Sequence, residues 1–113
     1  MRTIAGRIIL PGNAPATHAD CILVEVRDVS VADAPSSVVK TQRLRKVALK
    51  PHGQIRFTIT VPEVAANTTL SLRVHISLDG SCVLKTGDLL STAHCPVPHI
   101  GTPGPIEVSV VVV

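Results

Sequence analysis

The chain has 113 residues, a length typical of one domain, and residues 1–113 contain no domain boundary or internal repeat. Hydrophobic residues make up 45% of the chain and charged residues 17%, which excludes a disordered chain and predicts a sizeable core. The net charge is only +3, and one Phe with no Trp or Tyr leaves no aromatic platform for bases, so we expect no nucleic-acid partner. The core must be built from Val, Ile and Leu, which favours β-strands.

Seven or eight segments have the period-two alternation or the short apolar run that is typical of a strand. In chain order, the main candidates are residues 3–10, 21–28, 38–47, 54–61, 70–78, 82–86 and 106–113. The many charges within 38–47 indicate an edge strand, because charged edges discourage pairing with other chains. No segment repeats its apolar residues with a helical period. The pattern predicts an all-β fold, a small antiparallel β-sandwich with Greek-key connections.

The two most regular segments, 54–61 and 70–78, place apolar residues on one face and polar residues on the other. In the first segment Arg56 faces solvent, and in the second Arg73 and His75 do so. If the two strands pair, Arg56, Arg73 and His75 form a basic, hydroxyl-rich sheet face that could dock a partner. These three are the candidate partner-binding residues, and an ordinary exposed sheet surface is the alternative.

A proline-rich segment near the C-terminus, "HCPVPH", contains residue types that bind transition metals. His94, Cys95 and His99 are the candidate ligands for Zn²⁺ or copper, with Cys82 or His75 as candidates for a fourth. The sequence lacks the paired cysteine hooks of the usual zinc sites, so a stiff loop with its histidines in water is the alternative. Apart from this loop, the sequence predicts no cofactor.

The three cysteines, Cys21, Cys82 and Cys95, leave at least one thiol unpaired. One disulfide stays open as an alternative, but we expect buried free thiols of the kind found in cytosolic proteins. The first twelve residues, "MRTIAGRIILPG", lack the apolar run and cleavage site of a secretory signal peptide. A native start at Met1 therefore predicts a cytosolic protein, whereas a trimmed leader would predict an exported one.

Two aspartates and a proline lie in "VRDVSVADAPSS", residues 26–37, between two apolar runs. Asp28, Ser30 and Asp33 are oxygen ligands of the kind that Ca²⁺ uses, but Ca²⁺ needs about six to eight of them. Asp and Ser near a turn instead accept hydrogen bonds from backbone N–H groups close by. We interpret the segment as a corner that follows the strand at 21–28.

Three segments together resemble a known family: "VEVRDVSVADAPSSVVKTQ", "QIRFTITV" and "LSLRVHISLDGSCVLKTGDLLSTAHCPV". A strand that runs into "DVS-x-ADAP" and then "V-V-K-T-Q" resembles the YbaY-like lipoproteins and the YscW-type type III secretion pilotins, and the likeness covers residues 4–113. The resemblance implies a small β-sandwich that is exported as a lipoprotein and is periplasmic or attached to the outer membrane. For the pilotins, it also implies binding of a secretin subunit. A membrane contact is expected only through a lipidated leader.

No enzyme motif of the G-x-S-x-G, P-loop or H-E-x-x-H type is present. We expect a non-enzymatic β-sandwich that binds a protein or peptide by strand addition and assists secretion or envelope assembly. The charged strand at 38–47 and the apolar end "VSVVVV" are the candidate edges for a partner or for a homo-oligomer. The alternative function is a small metal-binding protein that uses His94, Cys95 and His99.

Overall fold

The computed structural model describes residues 2–31, 36–65, 67–93, 95–98 and 105–113, and these ranges contain strands and no helix. Five strands have eight residues each: β1 (Arg2–Ile9), β3 (Cys21–Asp28), β4 (Ser37–Leu44), β6 (Gln54–Val61) and β7 (Leu70–Ser77). The shorter strands are β2 (His18–Ala19), β5 (Val47–Ala48), β8 (Leu89–Leu90), β9 (Pro96–Val97), β10 (Ile106–Ser109) and β11 (Val111–Val112). The all-β prediction is confirmed.

The strands form two large sheets and one small one. The first is three-stranded, in the order β10-β1-β6, and the second is six-stranded, in the order β11-β8-β7-β3-β4 with β9 also paired to β7. Strands β2 and β5 form a separate two-stranded sheet. The described strand pairs are antiparallel except β1 with β10, which run parallel. Alternation in the sequence assigns a residue to a face, but it carries no information about the direction of the neighbouring strand.

Both large sheets contribute their inward-facing side chains to one hydrophobic core. Strand β6 alternates strictly, with Ile55, Phe57, Ile59 and Val61 buried, as its sequence predicts. The ring of Phe57 lies directly over Gly6 of β1, its partner in the register. A Cβ at position 6 would lie 2.3 Å from the Phe57 ring, so only glycine leaves room for it. The one aromatic side chain of the chain is thereby placed in the core.

Three of the predicted strands differ from the structure. The strand predicted at 38–47 ends at Leu44, and Val47 belongs to β5 of the two-stranded sheet. The predicted strand at 82–86 lies in the turn-rich connection between β7 and β8. The predicted strand at 106–113 is divided, because β10 belongs to the three-stranded sheet and β11 to the six-stranded one. The chain changes sheets at Val110, which is 2% exposed and donates its N–H to the carbonyl of Ile9. The apolar C-terminal segment therefore forms the edge of both sheets rather than one continuous strand.

The corner after β3 is fixed by hydrogen bonds from side chains to the backbone. Oδ1 of Asp28 accepts a hydrogen bond from the N–H of Ser30 at 2.9 Å. Oγ of Ser30 accepts one from the N–H of Thr69 at 2.7 Å, which ties the corner to the segment before β7. The hydrogen bonds from Ser30 hold the pKa of Asp28 below its ordinary value. Asp33, the other aspartate of this segment, lies outside the described residues.

A disulfide joins Cys21 at the start of β3 to Cys82 in the β7–β8 connection, 61 positions apart in the sequence. The expectation of free thiols is therefore wrong for these two residues, and Cys95 is the free cysteine. The two cysteines meet because β3 and β7 are antiparallel neighbours, with Cys21 opposite Ser77. No helix in the described part of the chain has the length and apolar character to cross a membrane.

Candidate functional site

The predicted basic face does not assemble, because the strands that carry its residues lie in different sheets. Arg56 lies on β6, which pairs with β1, whereas Arg73 and His75 lie on β7, which pairs with β3, β8 and β9. Arg56 is exposed and Arg73 is half-buried. His75 is only 7% exposed, so its expected position on a solvent-facing surface is wrong. The use of these residues in partner binding stays a prediction.

His75 is buried because the β7–β8 connection folds over it. Its Nε2 atom lies 2.9 Å from Oδ2 of Asp88, and Asp88 is 3% exposed. The same carboxylate accepts hydrogen bonds from the backbone N–H groups of Leu78 and Lys85, at 3.1 and 3.0 Å. Burial raises the pKa of Asp88, but the hydrogen bonds from His75, Leu78 and Lys85 outweigh it and hold the pKa below its ordinary value. The Asp88 carboxylate therefore has a structural role, because its hydrogen bonds hold the β7–β8 connection against β7.

The candidate metal loop is only partly within the described chain, since His94 and His99 lie outside it. Cys95 is half-buried, and its Sγ lies 3.6 Å from the carbonyl oxygen of Glu107. Burial raises the pKa of the Cys95 thiol, which disfavours the thiolate that metals bind. The suggested fourth ligands are occupied, Cys82 in the disulfide and His75 by Asp88. No group of three metal-binding side chains occurs among the described residues, so the metal-binding alternative has no support.

The candidate binding site is a groove at the end of β6, between the two large sheets. One part, of about 310 Å³, lies between the ends of β1 and β6 on one side and the start of β7 with β9 on the other. A second part, of about 400 Å³, lies between β4 and β6 and shares Val61 and Pro62 with the first. We call the two parts together the end groove. Its apolar lining consists of Val39, Val61, Pro62, Val64, Ala65, Leu70 and Val97. The polar residues of the lining are Arg2, Lys40, Thr60, Glu63 and Thr68.

The sequence around Pro62 explains why the groove is open. Strand β6 ends at Val61, and Pro62 has no N–H with which to continue a ladder. The chain then leaves the sheet and presents Val64, which is 41% exposed, beside the buried Val61 and Leu70. Val64 thereby extends the buried apolar residues Val61 and Leu70 to the protein surface.

A β-bulge shapes the other wall of the groove. Val26 of β3 pairs with Lys40 of β4, and Arg27 pairs with Val38, so Val39 is the extra residue on β4. A bulge redirects the side chain that it carries, and Val39 packs against the core where it lines the end groove. Both β4 and β6 are edge strands, each with one paired neighbour in the described chain. The end groove therefore combines apolar side chains with strand edges that are open to pairing.

The outer face of the three-stranded sheet is a second candidate surface. The register places Arg7 of β1 directly opposite Arg56 of β6, and Glu107 of β10 opposite Arg7 on its other side. A shallow groove of about 410 Å³ lies beside the two arginines, lined also by Thr58 and Pro105. We call this surface the arginine face. Sequence reasoning missed Arg7, because the alternation in "TIAGRIIL" identifies the face on which Arg7 lies but not the strand beside it.

One solved structure has a closely similar fold over nearly the whole chain. It is an alternative pilotin from the type II secretion system of Vibrio cholerae, with a TM-score of 0.60 and 22% sequence identity, and the match covers 97% of this chain and 96% of that one. The chain has a pilotin-like fold. At this identity the pilotin likeness concerns the fold, and the link to YbaY-like and YscW-type proteins rests on the sequence segments quoted above. No protein-family model and no curated protein matches the chain.

Proposed function

We propose that the chain is a non-enzymatic binding protein that assists secretion or envelope assembly, in the manner of the YbaY-like and YscW-type proteins that its sequence resembles. On this proposal it captures a segment of a secretin subunit in the end groove. The observation that carries the proposal is the groove itself, which has an apolar floor, is open to solvent and lies between two sheet edges in a fold shared with a pilotin.

Strand addition accounts for how such a groove binds a segment of a protein. A segment that lies along the free edge of β6 gains main-chain hydrogen bonds, and its alternate side chains enter the apolar lining. Val61, Leu70 and Val97 are already fixed in the core, so their positions need no ordering on binding. Each apolar side chain that the segment buries contributes about 25 cal/mol per Å² of apolar surface removed from water.

The disulfide supports an extracytoplasmic site of action. Cys21 and Cys82 are joined in the folded chain, and structural disulfides persist in oxidising compartments such as the bacterial periplasm. The disulfide thus favours the exported alternative over the cytosolic one. We propose that the protein acts in the periplasm, where a secretin subunit passes on its way to the outer membrane.

The proposal is tested with overlapping peptides that tile the secretin subunit of the same organism, titrated against the purified chain by fluorescence anisotropy. We expect one region of the secretin to bind. Val64→Glu places a charge in the apolar lining and should abolish binding. Because Val64 is already 41% exposed, the variant should fold normally, which a thermal melt checks.

Val83→Glu is the matched control, since Val83 is 60% exposed and lies on the β7–β8 connection, outside the end groove. It should bind the peptide as the parent chain does. Failure of every secretin peptide to bind, or equal binding by the Val64→Glu variant, would contradict the proposal.

A further inference from the structure

The arginine face is joined to the end groove along β6. Thr60 lines the end groove, and Thr58 and Arg56 follow it on the same outward face of β6. Strands rise about 3.3 Å per residue, so Arg56 lies about 13 Å from Thr60 along the strand. A segment that is seated in the end groove and continues along β6 therefore reaches Arg56.

The arginine face carries a charge arrangement that a sheet does not normally favour. Arg7 and Arg56 lie directly opposite each other, and like charges in this position destabilise an antiparallel pair. Glu107 offsets only Arg7, whose Nη2 donates to Oε1 of Glu107 at 2.9 Å. The Nε of Arg7 is buried and has no hydrogen-bond partner in the described ranges.

Arg56 has no carboxylate partner among the described residues. The chain has eight acidic residues, and all but Asp33 lie within the described ranges. The row Glu107–Arg7–Arg56 thus carries two positive charges and one negative charge on a face whose other groups are mainly hydroxyls, such as Thr58 and Thr60. One further carboxylate would balance the row.

We propose that the arginine face binds an Asp or Glu side chain of the same partner segment that occupies the end groove, a deepening that rests on the function proposed above. The carboxylate lies beside Arg56 and Arg7, where the guanidinium of Arg56 pairs with it in bidentate geometry. It also relieves the repulsion between the two arginines. The partner segment thus has an apolar anchor and an acidic residue about 13 Å further along, four residues away if it is extended.

Charge complementarity favours an acidic protein segment over an anionic membrane as the occupant. Surfaces that bind anionic membranes use clusters of about four to eight Lys or Arg residues. The arginine face has two arginines, and one of them is already paired with Glu107. The cations at positions 40, 43, 45, 46 and 50 are more numerous, but they lie outside the arginine face.

The test uses a fluorescent hexaglutamate peptide at low salt, with hexaglutamine as the uncharged control. Arg56→Gln should weaken hexaglutamate binding by about three- to tenfold, and Arg56→Lys should lie between this variant and the parent chain. Arg45→Gln removes the same charge from an exposed position outside the arginine face and should have no effect. The melting temperature of the Arg56→Gln variant should not fall, because the substitution removes a repulsive pair.

Three results would overturn the inference. They are no binding of hexaglutamate, an equal loss of binding in the Arg45→Gln and Arg56→Gln variants, or binding to phosphatidylserine vesicles that depends on Arg56 when hexaglutamate binding does not. The Val64→Glu variant separates this inference from the proposed function, because it should still bind hexaglutamate. If no secretin peptide binds but hexaglutamate binding depends on Arg56, the acid-binding site stands and the proposed partner is wrong.

Discussion

Strands β6 and β7 are both eight residues long, and both alternate apolar with polar residues in the sequence. Their polar residues nevertheless have opposite environments. Arg56, Thr58 and Thr60 of β6 are exposed, whereas His75 and Ser77 of β7 are buried. The difference decides which strand presents a binding surface and which one is part of the interior.

The polar side of β7 is buried because later segments of the chain cross it and supply acceptors. Oγ of Ser71 donates to the carbonyl of Cys95, and His75 pairs with Asp88. Oγ of Ser77 donates to Asp79, just past the end of β7. The outer side of β6 has no such cover among the described segments. Alternation therefore identifies the two sides of a strand, but whether the polar side meets water depends on a segment far away in the sequence.

The largest expected effect comes from removing the Cys21–Cys82 disulfide, which ties the β7–β8 connection that covers β7 to the start of β3. Replacing Cys21 and Cys82 together by Ala frees a loop that spans 61 positions, and chain entropy predicts a loss of about 4 kcal/mol in the free energy of unfolding. Urea denaturation of the parent and the double variant measures the difference. Cys95→Ala is the control and should cost far less. Equal stability of the parent chain and the double variant would contradict the account of the cover.

Removing the Asp88 carboxylate, which pairs with His75 beneath the β7–β8 connection, should have the next largest effect. Asp88→Ala leaves the buried His75 and two backbone N–H groups without their acceptor, which predicts a loss of about 3 kcal/mol in the free energy of unfolding. Thr58→Ala is the matched change on the exposed side of β6 and should stay within about 0.5 kcal/mol of the parent. The comparison fails if chemical denaturation gives equal losses for the two variants.

Acid should lower the free energy of unfolding by protonating Asp88, the partner of His75. The pKa of Asp88 in the folded chain lies below its ordinary value of 3.8, so the ionised carboxylate stabilises the fold above that pH. This stabilisation is lost as the pH falls through the folded-state pKa. The free energy of unfolding of the Asp88→Asn variant should therefore change less between pH 5 and pH 2 than that of the parent. Parallel pH profiles for the two proteins would show that Asp88 is not the group concerned.

The smallest effect is expected on β6, and it has the opposite sign. Arg56→Gln removes a like charge opposite Arg7 and should raise the free energy of unfolding by about 0.2–1 kcal/mol. Arg73→Gln is the comparison on β7, where Arg73 lies opposite Glu25, and it should not stabilise the chain. Thermal melts of the two variants in low salt measure the difference. Stabilisation by Arg73→Gln would contradict the claim that repulsion between Arg7 and Arg56 is what destabilises the parent chain.

Local features of this fold could be predicted from the sequence. The bounds of β3 and β6 match the predicted segments 21–28 and 54–61, and β6 alternates without interruption. The edge position of β4 also follows from its charges, and it is confirmed. These properties depend on residues within a few positions of one another.

The long-range features could not be predicted. Nothing in residues 54–61 indicates that β6 pairs with β1 rather than with β7, so the sequence could not show that Arg56 lies in a different sheet from Arg73 and His75. The parallel pairing of β10 with β1 and the change of sheet at Val110 depend on the arrangement of the whole chain. The end groove has the same origin, since it brings Val39, Val61 and Val97 together from three distant segments.

The central claim is that a partner segment occupies the end groove, and methyl NMR tests it most directly. The chain is labelled at its Val and Leu methyl groups and titrated with the secretin peptide that binds most tightly. The account predicts that the signals of Val39, Val61, Val64, Leu70 and Val97 shift together and saturate with the peptide. Unchanged signals from these residues, with shifts confined to Val111 and Val112 on the opposite edge, would contradict it.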